Sequence, residues 1–466
     1  MDTKPNLILI LGGNHAIKTL SIYDNAILQT PNIDRIGKEG VTFQNAFVAE
    51  PFEDGSFFRG SYTNANSTNF IDSSLIESLK LMGYATYYVG KKTSEVNLKG
   101  FDEVVMLEND EQYYNPVVYI NGQSTKTSGY VTKVIGDFSL EILNKRSKSM
   151  PFCLVINQLG PGTKCLPEVK KLEDQFDKTY PNENSLYIES GPSDQDIKGG
   201  QKVENLDIYH HLPEASDTSR LDWMQALPEN ERSIWLKYAQ HLREDLKNKG
   251  LSQSELVVWK YQRLLNDYSR CIASLDEEVG RLLDYLDDNQ LSGSTALVYT
   301  ATSGYLLGEH GYYGNGYGYG AALHIPFLLK YDGKLESGRV EPGLVSSLDI
   351  APTLLEMAGG GHKTSFQGTS LWARENGIVS FDEQRVLYLN GLANKDSLGF
   401  GPFEGMMSKG SKLVHYLDSD YWFMHDLLYD QNEMVNMAIE RGKKRELDKM
   451  KTKFEKLKMK IKSSSH

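Results

Sequence analysis

Short apolar runs alternate along the chain with segments of helical periodicity. Five runs rich in aliphatic, β-branched and aromatic residues predict buried strands: Leu7–Leu11, Tyr84–Val89, Phe152–Asn157, Ala296–Thr300 and Ile325–Lys330. Strands that alternate with helices build a parallel sheet covered by those helices. The pattern therefore predicts an α/β fold with a mixed, mostly parallel sheet flanked by helices.

Two segments carry clear helix signals. Thr30–Val41 has apolar residues one turn apart and a closing glycine, Gly40, which predicts the first helix. Ser252–Asn289 has apolar residues every three or four positions, and Ser252 with Glu255 forms the pattern of a capping box. The apolar stripe of this long helix is typical of core packing and not of a cofactor site.

The pattern changes twice in the rest of the chain. From Pro167 to Glu229 the helix and strand periodicity gives way to small and polar residues. This predicts a long excursion of the chain over the surface of the sheet. After Gly360, three apolar segments predict a small antiparallel sheet, followed by a terminal helix with apolar residues at near-heptad spacing between Leu447 and Ile461. We expect an α/β domain over residues 1–360 and a small C-terminal α+β subdomain over 361–466. The lysine excess of the last helix is expected to be a solvated face, with a nucleic-acid or membrane role as the alternative.

Composition narrows the functional classes. The formal net charge of -12 argues against non-specific nucleic-acid binding, which needs clustered cations. Three cysteines are too few for a disulfide framework, lack metal-ligand spacing and are expected to be free thiols. No apolar stretch is long enough for a transmembrane helix, and Met1–Pro5 is too short for a signal peptide. Either a cytoplasmic protein or one whose leader has been removed fits these observations, so the compartment stays open.

The first strand ends in a segment with unusual chemistry. Ligands of open α/β sheets bind at the carboxyl ends of the strands. Here the strand runs into Gly12, Gly13, Asn14 and His15, which supply neither a carboxylate nor a glycine-rich phosphate loop.

Several motifs together resemble the formylglycine-dependent sulfatases in order and spacing. They are "KPNLILIL", "TPNIDRIGKEGVTFQNAFV", "GYATYYVGKK", "GFDEV", "YYNP", "WKYQR", "GYLLGEHGYYG" and "LVSSLDIAPTLLEMAG". "YYNP" and "WKYQR" resemble in particular bacterial glycan sulfatases that act on N-acetylglucosamine-type sugars. The resemblance implies an alkaline-phosphatase-like α/β domain and a smaller C-terminal domain with a four-stranded sheet.

The resemblance also implies a mechanism. In the family, a cysteine converted to formylglycine attacks the sulfur of a sulfate ester. A calcium ion held by carboxylate and amide oxygens neutralises the sulfate, and lysines and histidines bind the sulfate and protonate the leaving alcohol. These roles need hard oxygen ligands and preorganised positive charge.

Most positions that match the family's site carry other residues here. The metal-ligand positions fall on Gly13, Asn14, Thr302 and Ser303, so no calcium or other cofactor is expected. The catalytic positions fall on Glu53, where the convertible cysteine would stand, and on Lys91, Thr93, Gly162 and Asn315. Lys91 alone matches the family's residue. The arginine that follows the cysteine is replaced by Phe57.

Several other residues could still carry chemistry. Ser56 could act as a nucleophile, but it would lack the metal that such hydroxyls need. His15, Glu53 and Asp54 could form a rearranged metal site, although His15 is expected to face solvent. Lys91 could bind an anion or pair with Glu53.

Two features around the motif "GEHG" have open interpretations. His310 matches a family residue and could contact a ligand, although bracing of the loop is favoured. The run "GYYGNGYGYGAA" could form a flexible lip that stacks on a sugar, or a disordered loop.

The sequence favours a catalytically inactive sulfatase homologue that binds a sulfated carbohydrate, with Lys91 and His310 as candidate binding residues. The alternative is an active sulfuric ester hydrolase with a non-standard nucleophile.

Overall fold

The structure is a computed structural model. It describes residues 4–23, 27–51, 56–62, 75–92, 100–162, 165–174, 178–183, 185–186, 200–206, 222–225, 227–361, 363–373, 377–378, 382–392 and 399–463.

The strands are β1 (Asn6–Leu11), β2 (Val41–Phe47), β3 (Ala85–Gly90), β4 (Glu103–Leu107), β5 (Val117–Ile120), β6 (Gln123–Lys126), β7 (Phe152–Asn157), β8 (Thr295–Thr300), β9 (Leu306–Leu307), β10 (Tyr313–Gly314), β11 (Phe327–Lys330), β12 (Arg339–Ser346), β13 (Trp372–Ala373), β14 (Gly377–Ile378), β15 (Val386–Gly391), β16 (Phe403–Ser408), β17 (Ser411–Tyr416) and β18 (Tyr421–Asp426). The α-helices are α1 (Pro31–Lys38), α2 (Ser56–Arg59), α3 (Leu75–Leu81), α4 (Val131–Lys145), α5 (Val169–Asp174), α6 (Asp222–Gln225), α7 (Glu229–Lys249), α8 (Gln253–Asp288), α9 (Gly320–Leu323), α10 (Ile350–Met357) and α11 (Lys444–Ser463).

Ten strands form the main sheet in the order β12-β2-β11-β8-β1-β7-β3-β4-β5-β6. All pairings from β8 through β4 are parallel, whereas β11 runs antiparallel to both of its neighbours and β5 runs antiparallel to β4 and β6. The predicted mixed, mostly parallel sheet is confirmed, and each of the five predicted strands is present within two residues of its expected bounds.

Both faces of the main sheet are buried, because successive residues of β1 belong to different cores. Leu7, Leu9 and Leu11 pack in one hydrophobic cluster, and Ile8 and Ile10 pack in another. This explains the unbroken aliphatic run, which is typical of a central parallel strand covered by helices on both sides.

The two helices with the clearest sequence signals are confirmed. The first predicted helix is α1, and the long one is α8, which begins with the capping box of Ser252 and Glu255. The residues of its predicted apolar stripe are all buried. In the predicted excursion between Pro167 and Glu229, the structure describes α5, α6 and a short 3-10 helix at Val203–Asn205.

The C-terminal part contains the predicted small antiparallel sheet, in the order β15-β16-β17-β18. Helix α11 packs on this sheet through Phe454, which is 1% exposed.

The division of the chain at residue 360 stays a prediction. In the part of the chain that the structure describes, no helix is both long and apolar enough to span a membrane.

The glycine-rich run of residues 311–322 differs from both alternatives considered for it. Tyr312, Tyr317 and Tyr319 are buried against Phe400 of the C-terminal part, so they form neither a flexible lip nor a disordered loop. The tyrosines pack edge to face with this ring, an arrangement that aromatic side chains favour in cores. Composition alone gave the wrong interpretation because the partner ring lies some eighty residues away along the chain.

Candidate functional site

The candidate site lies where four neighbouring parallel strands end in one row. The register places Leu11 of β1 beside Asn157 of β7 and Thr300 of β8, and Asn157 beside Gly90 of β3. The segments that follow these strands therefore meet at one edge of the sheet. Strands are about 4.8 Å apart, so the backbone at Lys91 lies roughly 10 Å from that at Gly12.

The glycine pair after β1 lets two other groups approach the backbone closely. A Cβ atom at Gly12 would lie 2.5 Å from the Tyr299 hydroxyl oxygen, and one at Gly13 would lie 2.6 Å from the Pro161 carbonyl oxygen. Gly13 also has a φ of 66°, in the left-handed region that favours glycine. The space that a longer side chain at position 13 would need is therefore already filled.

Hydrogen bonds connect the segments that carry the family's metal-ligand positions. The Asn14 amide donates to the Pro161 carbonyl at 2.8 Å, and the amide and hydroxyl of Thr302 donate to the Gly13 carbonyl at 2.9 and 3.0 Å. The Ser303 hydroxyl donates to the Gly304 carbonyl at 2.6 Å. The four positions are brought together, but the two hydroxyl groups are engaged with backbone oxygens.

The position of His15 corrects one expectation, because this residue is completely buried and does not face solvent. Its Nδ1 atom shares a hydrogen bond of 2.8 Å with the Tyr299 hydroxyl. Burial lowers the pKa of His15 to about 3, so the ring is neutral near pH 7. The helix start expected at Ala16–Lys18 suggested that His15 is exposed, but Gly12 leaves room for Tyr299 to cover the ring.

Tyrosine hydroxyls that the sequence did not point to complete the packing. The Tyr268 hydroxyl donates to the Asn14 carbonyl at 2.7 Å and accepts from the Ala16 amide at 2.8 Å. A Cβ atom at Gly162 would lie 2.7 Å from the Tyr113 hydroxyl oxygen. The available signal was the general one that a buried tyrosine hydroxyl needs a partner.

The candidate binding residues Lys91 and His310 differ in exposure. Lys91 is partly buried directly after β3, where its amide donates to the Asn157 carbonyl at 2.8 Å and its carbonyl accepts from the Tyr88 hydroxyl at 2.6 Å. His310 is 4% exposed and its ring stacks on Tyr319 with centroids 3.9 Å apart. Burial lowers the pKa of His310.

The remaining residues singled out from the sequence are buried or lie outside the described residues. Ser56, the first residue of α2, is completely buried, and its hydroxyl has no hydrogen-bond partner within the described part of the chain. Asn315 is also buried. Glu53, Asp54 and Thr93 lie outside the described residues.

The residues at the family positions do not fit a calcium ion. Calcium takes six to eight oxygen ligands, usually including carboxylates. Gly13, Asn14, Thr302 and Ser303 offer one amide and two hydroxyls, and both hydroxyls donate to the backbone. Within the described ranges there is also no group of three His, Cys, Asp or Glu side chains that could hold a metal.

The residues do not fit a formylglycine either. The resemblance places the family's cysteine at Glu53, and Cys153, Cys165 and Cys271 are free, buried thiols in other segments. The expectation of free thiols is confirmed, and burial raises the pKa of Cys153 to about 12.

Comparisons with known proteins agree with the fold. Residues 5–360 match the Sulfatase family, and residues 308–460 match a family described as N-sulphoglucosamine sulphohydrolase, C-terminal. N-acetylglucosamine-6-O-sulfatase of Bacteroides thetaiotaomicron is 28% identical in an alignment of 472 positions that covers 93% of this chain and 82% of the relative. An arylsulfatase of Clostridium perfringens is 21% identical over 96% of this chain and 92% of its own length.

Solved structures give the same result. A protein in complex with its substrate D-glucosamine-2-N,6-O-disulfate superposes with a TM-score of 0.91 at 24% identity, covering 99% of each chain. Phosphonate monoester hydrolase of Agrobacterium radiobacter superposes with a TM-score of 0.67 at 16% identity, covering 99% of this chain and 96% of the hydrolase. With most of its length matched, the chain belongs to the sulfatase family.

Proposed function

We propose that this chain is a non-hydrolytic member of the sulfatase family that binds a sulfated carbohydrate at the row of strand ends. One observation carries the non-hydrolytic part of the proposal: the Pro161 carbonyl and the Tyr113 hydroxyl occupy the space that side chains at positions 13 and 162 would need. Both positions therefore carry glycine in place of the family's residues, and the space of a longer side chain is occupied by other groups.

The loss of several parts at once argues against residual turnover. Nucleophile, metal and leaving-group acid act as a unit, and removing one of them already forfeits most of the rate. Restoring a single residue, as in Glu53→Cys or Asn14→Asp, leaves the other parts missing. We therefore expect no single substitution to rescue hydrolysis.

The test measures turnover of an aryl sulfate and of N-acetylglucosamine 6-sulfate with calcium supplied. We expect no turnover above a mock purification, whereas the Bacteroides relative serves as positive control. Turnover above the mock that Glu53→Gln or Ser56→Ala abolishes would establish the alternative, an active hydrolase with a non-standard nucleophile.

Lys91 is the cation that we assign to the anionic group of the ligand. It matches the family's residue, and it is partly buried at the edge where β3 ends. His310 is assigned a bracing role, because its buried ring stacks on Tyr319 and its amide donates to the Ser185 hydroxyl at 3.0 Å. A single lysine supports only weak binding, near the millimolar range that corresponds to about 4 kcal/mol.

Titration of the 6-sulfated and unsulfated forms of N-acetylglucosamine tests this assignment. We expect measurable binding of the sulfated form only, lost in Lys91→Ala. Equal affinity for both sugars, or binding that the substitution leaves unchanged, would contradict an anion-binding role of Lys91.

A further inference from the structure

Helix α11 is held on the C-terminal sheet by one apolar face. Leu447, Met450, Phe454, Leu457 and Ile461 recur every three or four residues and pack against this sheet. The Phe454 ring stacks on Tyr388 with centroids 6.1 Å apart. This packing fixes which face of the helix points into solvent.

The solvent-facing side of the helix carries a stripe of cations, which we name the basic stripe: Arg445, Lys449, Lys453, Lys456 and Lys460. They follow one another at steps of four, four, three and four residues, so they lie along one side of the helix. All five are exposed. At 1.5 Å of rise per residue, the basic stripe is about 22 Å long.

Among the described residues, none forms an ion pair with a member of the basic stripe. Other cations of the same region are engaged, since Lys443 pairs with Glu446, Lys458 pairs with Glu404 and the Lys451 ammonium lies 4.0 Å from the centre of the Trp422 ring. Helix α11 also carries the acidic residues Glu446, Asp448 and Glu455, but they lie beside the basic stripe and not within it.

The charges of the basic stripe repel one another in the free protein. Successive members are about 6 Å apart along the helix, which is less than the Debye length of about 8 Å at physiological ionic strength. Like charges at this spacing destabilise a helix. A linear polyanion lying along the basic stripe would remove this repulsion and release its own counterions.

We propose that the basic stripe binds a linear sulfated polysaccharide. A membrane surface fits less well, because the apolar face of α11 is already buried on the sheet and Met459 is the exposed large apolar residue on the helix. A duplex nucleic acid fits less well, because its wide phosphate surface would also face a chain with a formal net charge of -12. The choice of sulfate rests on the proposed function, whereas the geometry of the stripe does not.

The experiment titrates the full chain with a size-fractionated heparin oligosaccharide over a range of salt concentrations. For five cationic contacts we expect log Kd to rise with log salt with a slope of about 3.5 to 4.5. Lys449→Gln/Lys456→Gln should weaken binding by about tenfold or more at low salt and lower the slope by about 2. Lys444→Gln/Lys462→Gln is the matched control, since it removes two exposed lysines of the same helix outside the stripe.

We expect the control to bind within about threefold of the unmodified protein. Lys449→Gln/Lys456→Gln should bind the 6-sulfated form of N-acetylglucosamine as the unmodified protein does, which separates this proposal from the proposed strand-end site. Equal losses in the two double variants would overturn the proposal, because the net charge alone would then explain binding. Equal binding of fully desulfated heparin, or tighter binding of phosphatidylserine vesicles or duplex DNA, would also overturn it. Circular dichroism of each variant checks that the helix is retained.

Discussion

At the scale of single residues, Gly13 combines two constraints that can be separated by experiment. Its φ of 66° disfavours any side chain, and the Pro161 carbonyl oxygen lies 2.6 Å from the position of a Cβ atom. Gly83 has a φ of 85° with no atom within 4 Å of such a Cβ. The two glycines therefore share the strain and differ in the steric contact.

We expect Gly83→Ala to lower the free energy of unfolding by about 1 kcal/mol and Gly13→Ala to lower it by about 3 kcal/mol. Urea denaturation of both variants measures the difference. Gly13→Asp should also fail to gain stability from added calcium. Similar losses at the two positions would show that Pro161 moves away easily and that the site is less firmly filled.

His15 makes stability depend on pH. Burial lowers its pKa to about 3, whereas the unfolded chain has a value of about 6.5, so between these pH values only the unfolded chain binds the proton. Its contribution to stability is therefore fully present above pH 6.5 and is lost as the pH falls toward 3. At pH 5 the loss is about 2 kcal/mol relative to pH 7.

Urea unfolding at pH 7 and pH 5 tests this dependence. His15→Gln should reduce the difference in unfolding free energy between the two pH values by about 2 kcal/mol. His241→Gln, at an exposed position on α7, is the control and should leave the difference as it is in the unmodified protein. An unchanged difference in His15→Gln would mean that the imidazole becomes protonated in the folded protein.

At the scale of elements, a buried ion pair joins β17 to the segment after β18 and contacts the backbone at the start of α9. Lys412 of β17 pairs with Glu433 and donates to the Gly318 carbonyl at 2.7 Å, while Glu433 accepts from the Gly320 amide at 2.7 Å. Burial opposes ionisation of Glu433, but the Lys412 ammonium holds the pKa of this carboxyl below its usual value. The pair thus fixes α9 to the C-terminal sheet.

Removing one partner of this pair should be costly. Lys412→Met leaves the Glu433 carboxylate buried without its cation, and we expect a loss of about 3 to 5 kcal/mol in unfolding free energy. Lys412→Met/Glu433→Gln should recover part of that loss. Lys443→Met, which breaks the exposed pair with Glu446, should leave the unfolding free energy nearly unchanged. A double variant no more stable than Lys412→Met would contradict this account.

The elements that the sequence predicts well are those with a strong local period. β1 and β7 are continuous apolar runs, and α8 has both a capping box and a long apolar stripe. β2 escaped prediction because Thr, Gln and Asn interrupt its apolar residues. α7 escaped because, of its twenty-one residues, only Trp235, Ala239 and Leu242 are buried.

The sequence pointed to segments that meet at the strand ends but not to how they pack, and the roles assigned to their residues stay predictions. Motif spacing identified Gly13 and Thr302, and the structure joins them by a hydrogen bond. The contacts of Gly13 with Pro161 and of Gly162 with Tyr113 join segments far apart in the chain. The spacing of apolar and polar residues carries no information on such distant pairs. The burial of His15 was missed for the same reason, because Tyr299 covers it from β8.

At the scale of the whole molecule, stability should not depend on a divalent cation. A ligand stabilises a fold only if it binds the native state, and the described residues at the family's metal positions offer no carboxylate. We expect EDTA, and calcium in excess, to leave Tm unchanged in differential scanning calorimetry, and elemental analysis to find no stoichiometric calcium or magnesium. A rise in Tm with calcium that EDTA reverses would contradict this expectation.

The contact between Gly13 and Pro161 also limits the mutational routes that would lead to a metal-binding variant. An aspartate at position 13 is accommodated only after the loop of Pro161 has moved, and moving that loop alone removes the acceptor of the Asn14 amide and gains nothing. The aspartate and the loop movement each lower stability when made alone, so the effect of one depends on the other, which is called sign epistasis. The two segments lie almost 150 residues apart in the chain. A library of all single substitutions over residues 11–16 and 157–163 should therefore contain no calcium-binding variant. Paired libraries of the two loops are the place to search for one.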